Sequence, residues 1–217
     1  MTEKSQAELE ELHRSVVKYG SFAVKMLKES INVFESGDIN RATIVIMQKE
    51  ELKKAFIPLE DSLFQYISLY HPVARDMREV AASIRIIYNF ERVGRMGYDI
   101  AKTTTVLSEC CGLRDSPTLI SMGRLVTQMI EDALSAYEER SMNKIVKMQE
   151  RDTEIDNLYC NILTDIIGRM QTEKDDVPVL TRYVIINRYL ERCGDQACNM
   201  SEMILYMITG ERVEIHS

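Results

Sequence analysis

The chain contains no tryptophan, only four prolines and only nine glycines in 217 residues. A many-stranded β protein needs more punctuation than this, so the composition favours a few long helices. Positive charge is also in deficit: 27 Lys and Arg stand against 34 Asp and Glu, a formal net charge of −7. No basic cluster offsets that balance, which argues against nucleic-acid binding and against a basic membrane-surface protein. No apolar run reaches the roughly 18 residues that cross a bilayer, and the opening MTEKSQAELEELHR lacks the apolar core of a secretory signal. Direct membrane insertion is not expected. The five cysteines (Cys110, Cys111, Cys160, Cys193, Cys198) form neither a CxxC nor a disulfide framework, so the cytoplasm is the expected location. The histidines, His13, His71 and His216, are scattered, which makes a histidine-built metal site improbable. Without a glycine-rich phosphate loop, an HExxH or a nucleophile–base pair, nothing marks an enzyme.

What is present is helical periodicity. Leu9, Leu12, Val16, Phe22, Met26, Ile31 and Phe34 carry it over about 3–34. Gly37-Asp38 reads as a helix stop and a new N-cap. A second helix follows over about 39–70 through Ile44, Met47, Leu52, Phe56, Leu59, Leu63 and Ile67, with Pro58 inside it as a kink or local break. His71-Pro72 closes this segment, and Pro72 can serve in the first turn of a third helix over about 73–108. Residues Cys110 to Gly112 and Asp115 to Pro117 form the interior linker. The pattern then repeats over about 118–139, 142–171 and 177–208. Met47-Gln48 aligns with Met148-Gln149 and Glu91-Arg92 with Glu191-Arg192. Offsets of 101 and 100 residues between these anchors predict an internal duplication. The expected units are 1–112 and 113–217, each a three-helix bundle.

Acidic pairs carry the chemistry. Glu191 and Asp195 lie one helical turn apart, offset by about 40°. The apolar stripe Ile186, Leu190, Cys193, Ala197, Met200, Ile204 leaves them, and Asn199, on the outer side of the last helix. Asp152 and Asp156 repeat the spacing on the outer face of the preceding helix. Four carboxylates along one groove repel one another unless a cation sits between them. An all-oxygen donor set suits Mg²⁺, Mn²⁺, Ca²⁺ or iron, with Zn²⁺ a further option. The alternative is two stretches of solvated helix surface. On this alignment the first unit has Glu51 and Ala55 in place of Asp152 and Asp156. Arg95 stands in place of Asp195, where it pairs with Glu91 for about 0.3–0.5 kcal/mol. A metal site is therefore expected in the second unit only, with Glu51 and Glu91 as weaker candidates. Gly94 and Gly194 each cost about 1 kcal/mol in a helix interior, so their recurrence predicts close approach of a neighbouring helix or ligand. Cys198 is read as a partly buried thiol rather than a ligand. Met26, Met47, Met129 and Met200 are read as core filler.

The paired segments IRIIYNFERVGRMGYDIA and VIINRYLERCGDQACNMSE carry a resemblance, together with AYEERSMNKIVKMQERDTEIDNL and the terminal ILYMITGERVEIH. The chain resembles the PhoU family over essentially its whole length. That resemblance implies an all-α fold of two tandem three-helix bundles with pseudo-two-fold symmetry. It also implies surface metal held by E/DxxxD motifs, which land on Asp152, Asp156, Glu191 and Asp195. Glu51 and Glu91 keep one acid each of the first-unit motifs. Ala55 and Arg95 depart from the pattern. The implied role is non-enzymatic restraint of a phosphate transport system. The implied partners are the transporter's ATPase subunit and a phosphate-sensor histidine kinase, with homodimerisation expected. Two rivals differ in class: a metal-storage or redox bundle, which would ordinarily take Glu-x-x-His from each of two helices, where this chain has only Glu10–His13, and a metal-free interaction module.

Overall fold

The computed structural model describes residues 3–110 and 116–215. Six long helices account for nearly all of them: α1 (Glu3–Ser36), α2 (Ile39–Tyr70), α3 (Ala74–Cys110), α4 (Pro117–Glu138), α5 (Met148–Thr172) and α6 (Val177–Thr209), with a short 3₁₀ turn, Lys174–Asp176, before the last. No strand occurs among the described residues. The expected boundary between units at 112/113 lies outside them, as does His216.

Local chemistry sets the ends. Gly37 takes φ 69°, and the Asp38 carboxylate accepts from the Asn40 and Arg41 amides to start α2. Gly210, at φ 81°, closes α6. Two boundaries differ from the sequence reading. Pro72 precedes α3 rather than opening it. Helix α5 begins at Met148, not near 142, because the amides of Ile145 and Met148 bond three residues back, and both side chains are drawn into the core. Pro58 does not break α2: it lies on the exposed side, where the carbonyl deprived of its partner is open to water.

Within the first unit α1, α2 and α3 pack together, and α4, α5 and α6 do so in the second. Across the units α3 packs on α6 and α1 on α4, while α2 and α5 stay outside and touch only their own units. The α3–α6 pair keeps the 100-residue register: Leu180, Tyr183, Ile186, Leu190, Cys193 and Met200 are buried, as are their equivalents Val80, Ser83, Ile86, Phe90, Val93 and Ile100. Gly97 permits the closest crossing, since a Cβ there would meet the backbone of Leu27 at 3.0 Å.

The α2–α5 register differs from the expected 101. Ala42, Val45, Leu52, Leu59 and Leu63 are buried in α2, and Ile145, Met148, Ile155, Ile162 and Ile166 in and just before α5. Each pair is 103 apart. The glycines agree: a Cβ on Gly94 would strike Leu52 at 2.6 Å, while one on Gly194 would touch Ile155 at 3.4 Å. Their recurrence thus marks the close approach of the outer helix in each unit. The three residues of difference are the connection His71–Val73, which has no counterpart between α5 and the 3₁₀ turn. Met47 is 72 % exposed and Ile44 59 %, so neither is core as the periodicity suggested. Met26, Met129 and Met200 are.

One polar cluster ties the units together at one end. Glu79 accepts from Arg140 Nε at 3.0 Å and Nη2 at 2.7 Å, and His13 Nδ1 lies 3.3 Å away. His13 also donates through Nε2 to the Glu138 carbonyl at 3.2 Å and stacks on Tyr137. Arg140 reaches on to Glu10 at 2.8 Å. Burial alone would raise the Glu79 carboxyl, but the His13 and Arg140 contacts hold it below the usual carboxylate range.

Candidate functional site

The 103-residue register changes what the two units are compared on. Lys49 and Lys53, not Glu51 and Ala55, stand where the second unit has Asp152 and Asp156. Glu91 and Arg95 match Glu191 and Asp195. Four acids in one unit thus correspond to three cations and one acid in the other.

In the second unit the acids meet along the α5–α6 seam. Asp152 is only 5 % exposed and sits on the inner side of α5, not the outer face expected. Its Oδ1 would lie 3.8 Å from a Cβ on Gly194, and its carboxylate interacts with the Cys198 thiol. Gly194 therefore clears room for both Ile155 and this carboxylate. Asp156 follows one turn along α5, half-buried. Glu191, its side chain 14 % exposed, is held through Oε1 by Arg188, while its Oε2 is buried without a hydrogen-bond partner. Burial and then the neighbouring Asp195 and Asp156 charges push the Glu191 carboxyl above its ordinary range, against Arg188. Asp195 also acts on Cys198, whose thiol is raised by burial first and then by Asp152. Asp195 thus acts on both Glu191 and the Cys198 thiol. Among the described residues no three carboxylate, thiol or imidazole groups close around a single point. The donors form an open, hard-oxygen row rather than a cage. The orphaned Glu191 oxygen beside two like charges is the feature that fits a cation.

Asn199 does not join this row. It is exposed and lines the α3–α6 groove with Arg85, Tyr88, Asn89, Arg92 and Glu202. The 100-residue register explains it: Asn199 matches Asp99, which shares the opposite groove with Tyr189. Glu51 is likewise separate, on the α1–α2 side with Lys18, Tyr19 and Ala55. Glu91 faces Lys49, Lys53 and Arg95 in the α2–α3 groove, and its Oε1 pairs with Arg95 at 3.4 Å as the i,i+4 spacing predicted. The alignment by Met-Gln anchors missed Lys49 and Lys53. The buried stripe of α2, read against that of α5, would have found them.

No helix of the described residues is long and apolar enough to cross a membrane. Two pseudo-symmetric three-helix units, with grooves on their outer seams, define a tandem all-α bundle. Comparison with known proteins agrees. The PhoU domain model matches residues 16–104 and again 119–204, so the chain belongs to the PhoU family, whose members are regulatory accessory proteins and not enzymes. It is 32 % identical over 212 residues to a phosphate-specific transport system accessory protein PhoU homolog of Clostridium acetobutylicum, covering 97 % of each chain. The Streptococcus pneumoniae homolog is 27 % identical over the full length of both. The crystal structure of the phosphate transport system regulatory protein PhoU from S. pneumoniae superposes with TM-score 0.88 at 26 % identity, covering 96 % of this chain and 99 % of that one. PhoU from Pseudomonas aeruginosa superposes with TM-score 0.91 at 20 % identity, over 95 % and 99 %, which supports the fold.

Proposed function

We propose that this chain is a cytoplasmic regulator of phosphate homeostasis that restrains a high-affinity phosphate transport system through protein contacts. The observation that carries this reading is the match of both units, over 97 % of the chain, to a transport-system accessory protein. Its contacts are the transporter's ATPase subunit and a phosphate-sensor histidine kinase, and it acts as a homodimer. The second unit holds a hard cation on Asp152, Asp156, Glu191 and Asp195. The ion's chemistry there is electrostatic: it neutralises like charges crowded at the α5–α6 seam and braces Gly194 of α6 against α5. The first unit holds none, because Lys49, Lys53 and Arg95 repel a cation.

The test is co-purification of the full chain from cells grown at high and low phosphate. Recovery of the ATPase subunit or the kinase in a phosphate-dependent manner supports the reading. Loss of the protein that leaves transporter expression and phosphate uptake unchanged sinks it. Elemental analysis of protein purified without chelator tests the cation separately: metal that survives dialysis must disappear in Asp152→Ala/Glu191→Ala.

A further inference from the structure

The same architectural position carries opposite charge in the two units. In the first, Lys49 and Lys53 of α2 and Arg95 of α3 flank an open groove of about 480 Å³. Lys49 is held over the Tyr98 ring at 4.1 Å, so its ammonium is placed rather than waving. Apolar side chains carry it on: Ile57, 52 % exposed, and Tyr88, 47 %, line the groove, and Phe64, 50 % exposed, lies two turns further along α2. Phe56 packs edge-on against Tyr88, and the Tyr88 hydroxyl is tethered by Glu60. Lys49, Lys53, Ile57 and Phe64 fall within roughly 80° of one another around α2. They form one stripe, cationic at one end and apolar at the other.

We infer that this α2–α3 groove docks an amphipathic helix of a partner protein, one presenting carboxylates about a turn apart beside apolar side chains. The inference rests on the reading of the chain as a regulator that works through protein contacts, and it names the surface. Charge selects the occupant. The chain as a whole is acidic at −7, so an acidic partner is repelled over most of the surface and drawn to this groove. A compact polyanion is disfavoured, because Glu50 and Glu91 also line the groove. A helix satisfies both ends by setting its acids against Lys49 and Lys53, since Arg95 is already paired with Glu91, and its apolar face on Ile57, Phe64 and Tyr88. The exposed tyrosine is the expected anchor.

The experiment places a photo-crosslinking phenylalanine analogue at Ile57 in the full chain, expressed in its own cells, and sequences the crosslinked peptide. Ile167, half-exposed on α5, is the control position. The expected peptide is acidic and helical. Its adduct falls roughly tenfold in Lys49→Glu/Lys53→Glu and falls again as salt rises to about 0.5 M. The double variant must keep the wild-type thermal melt and second-unit metal content, which shows that the fold is intact. A basic or neutral peptide, an adduct that survives charge reversal, a second copy of this chain in the adduct, or no adduct overturns the inference. Complementation separates the two levels. If the wild-type chain does not restore phosphate control to a deletion strain, the regulator reading itself fails. If the wild type and the double variant restore it equally, only the docking groove is refuted.

Discussion

Replacing Glu79 with glutamine tests how the two units are held in register. Glu79 and His13 are 7 % and 5 % exposed, and Arg140, at 24 %, is partly open to water. Glutamine keeps the shape and one acceptor oxygen but removes the charge. Each of the two Arg140 bonds then falls from about 2 to about 1 kcal/mol, a loss of about 2 kcal/mol that Glu10 and water only partly recover. For a chain of this size that is a drop in melting temperature of roughly 4–8 °C. The pH dependence has a definite sign. The folded carboxyl titrates below its ordinary value, so its contribution is fully present above the unfolded pKa and is lost as pH falls through the lowered folded one. Urea titrations of wild type and Glu79→Gln should therefore differ at pH 7 and converge as pH falls through the lowered folded value. An equal midpoint at pH 7, or a gap that persists undiminished in acid, would refute the account of this cluster.

Other expectations concern packing and the acidic row. Gly97→Val drives a side chain into the Leu27 backbone and should cost about 1–3 kcal/mol in urea denaturation; a cost near zero would contradict the tight α1–α3 crossing. Glu191→Gln relieves repulsion from Asp195 and Asp156, so chelator-treated protein should melt higher than wild type while metal retention falls. Both moving in the same direction would count against a cation site. Arg95→Asp rebuilds an acidic pair with Glu91, yet Lys49 and Lys53 remain in that groove, so elemental analysis should find no added metal. Among Cys160, Cys193 and Cys198, iodoacetamide should label Cys160, which is exposed. The other two are buried with raised thiol pKa values.

The helices were legible because each has a continuous apolar stripe bounded by specific stop signals. Gly37-Asp38 is the plainest case, since a positive φ and a side-chain cap are both encoded in two residues. The stripe of α6 matched residue for residue, from Ile186 to Ile204. The start of α5 was not legible, because apolar residues from 142 onward suit either a helix or a turn whose side chains happen to reach the core.

Acidic spacing and the Glu91–Arg95 pair were likewise readable from the chain alone, as were the duplication and the helical class, since all are properties of a helix and its neighbours one turn away. Tertiary structure decided the rest. It set the α2–α5 register at 103, because burial depends on which stripe faces a partner helix and not on which short motif recurs. It turned Asp152 inward beside Gly194 and sent Asn199 to the α3–α6 groove, because a residue's neighbours across a bundle are fixed by how the helices are rotated. Through the same rotation it placed Lys49 and Lys53 where the other unit has its acids, a relation between helices that no single helix contains.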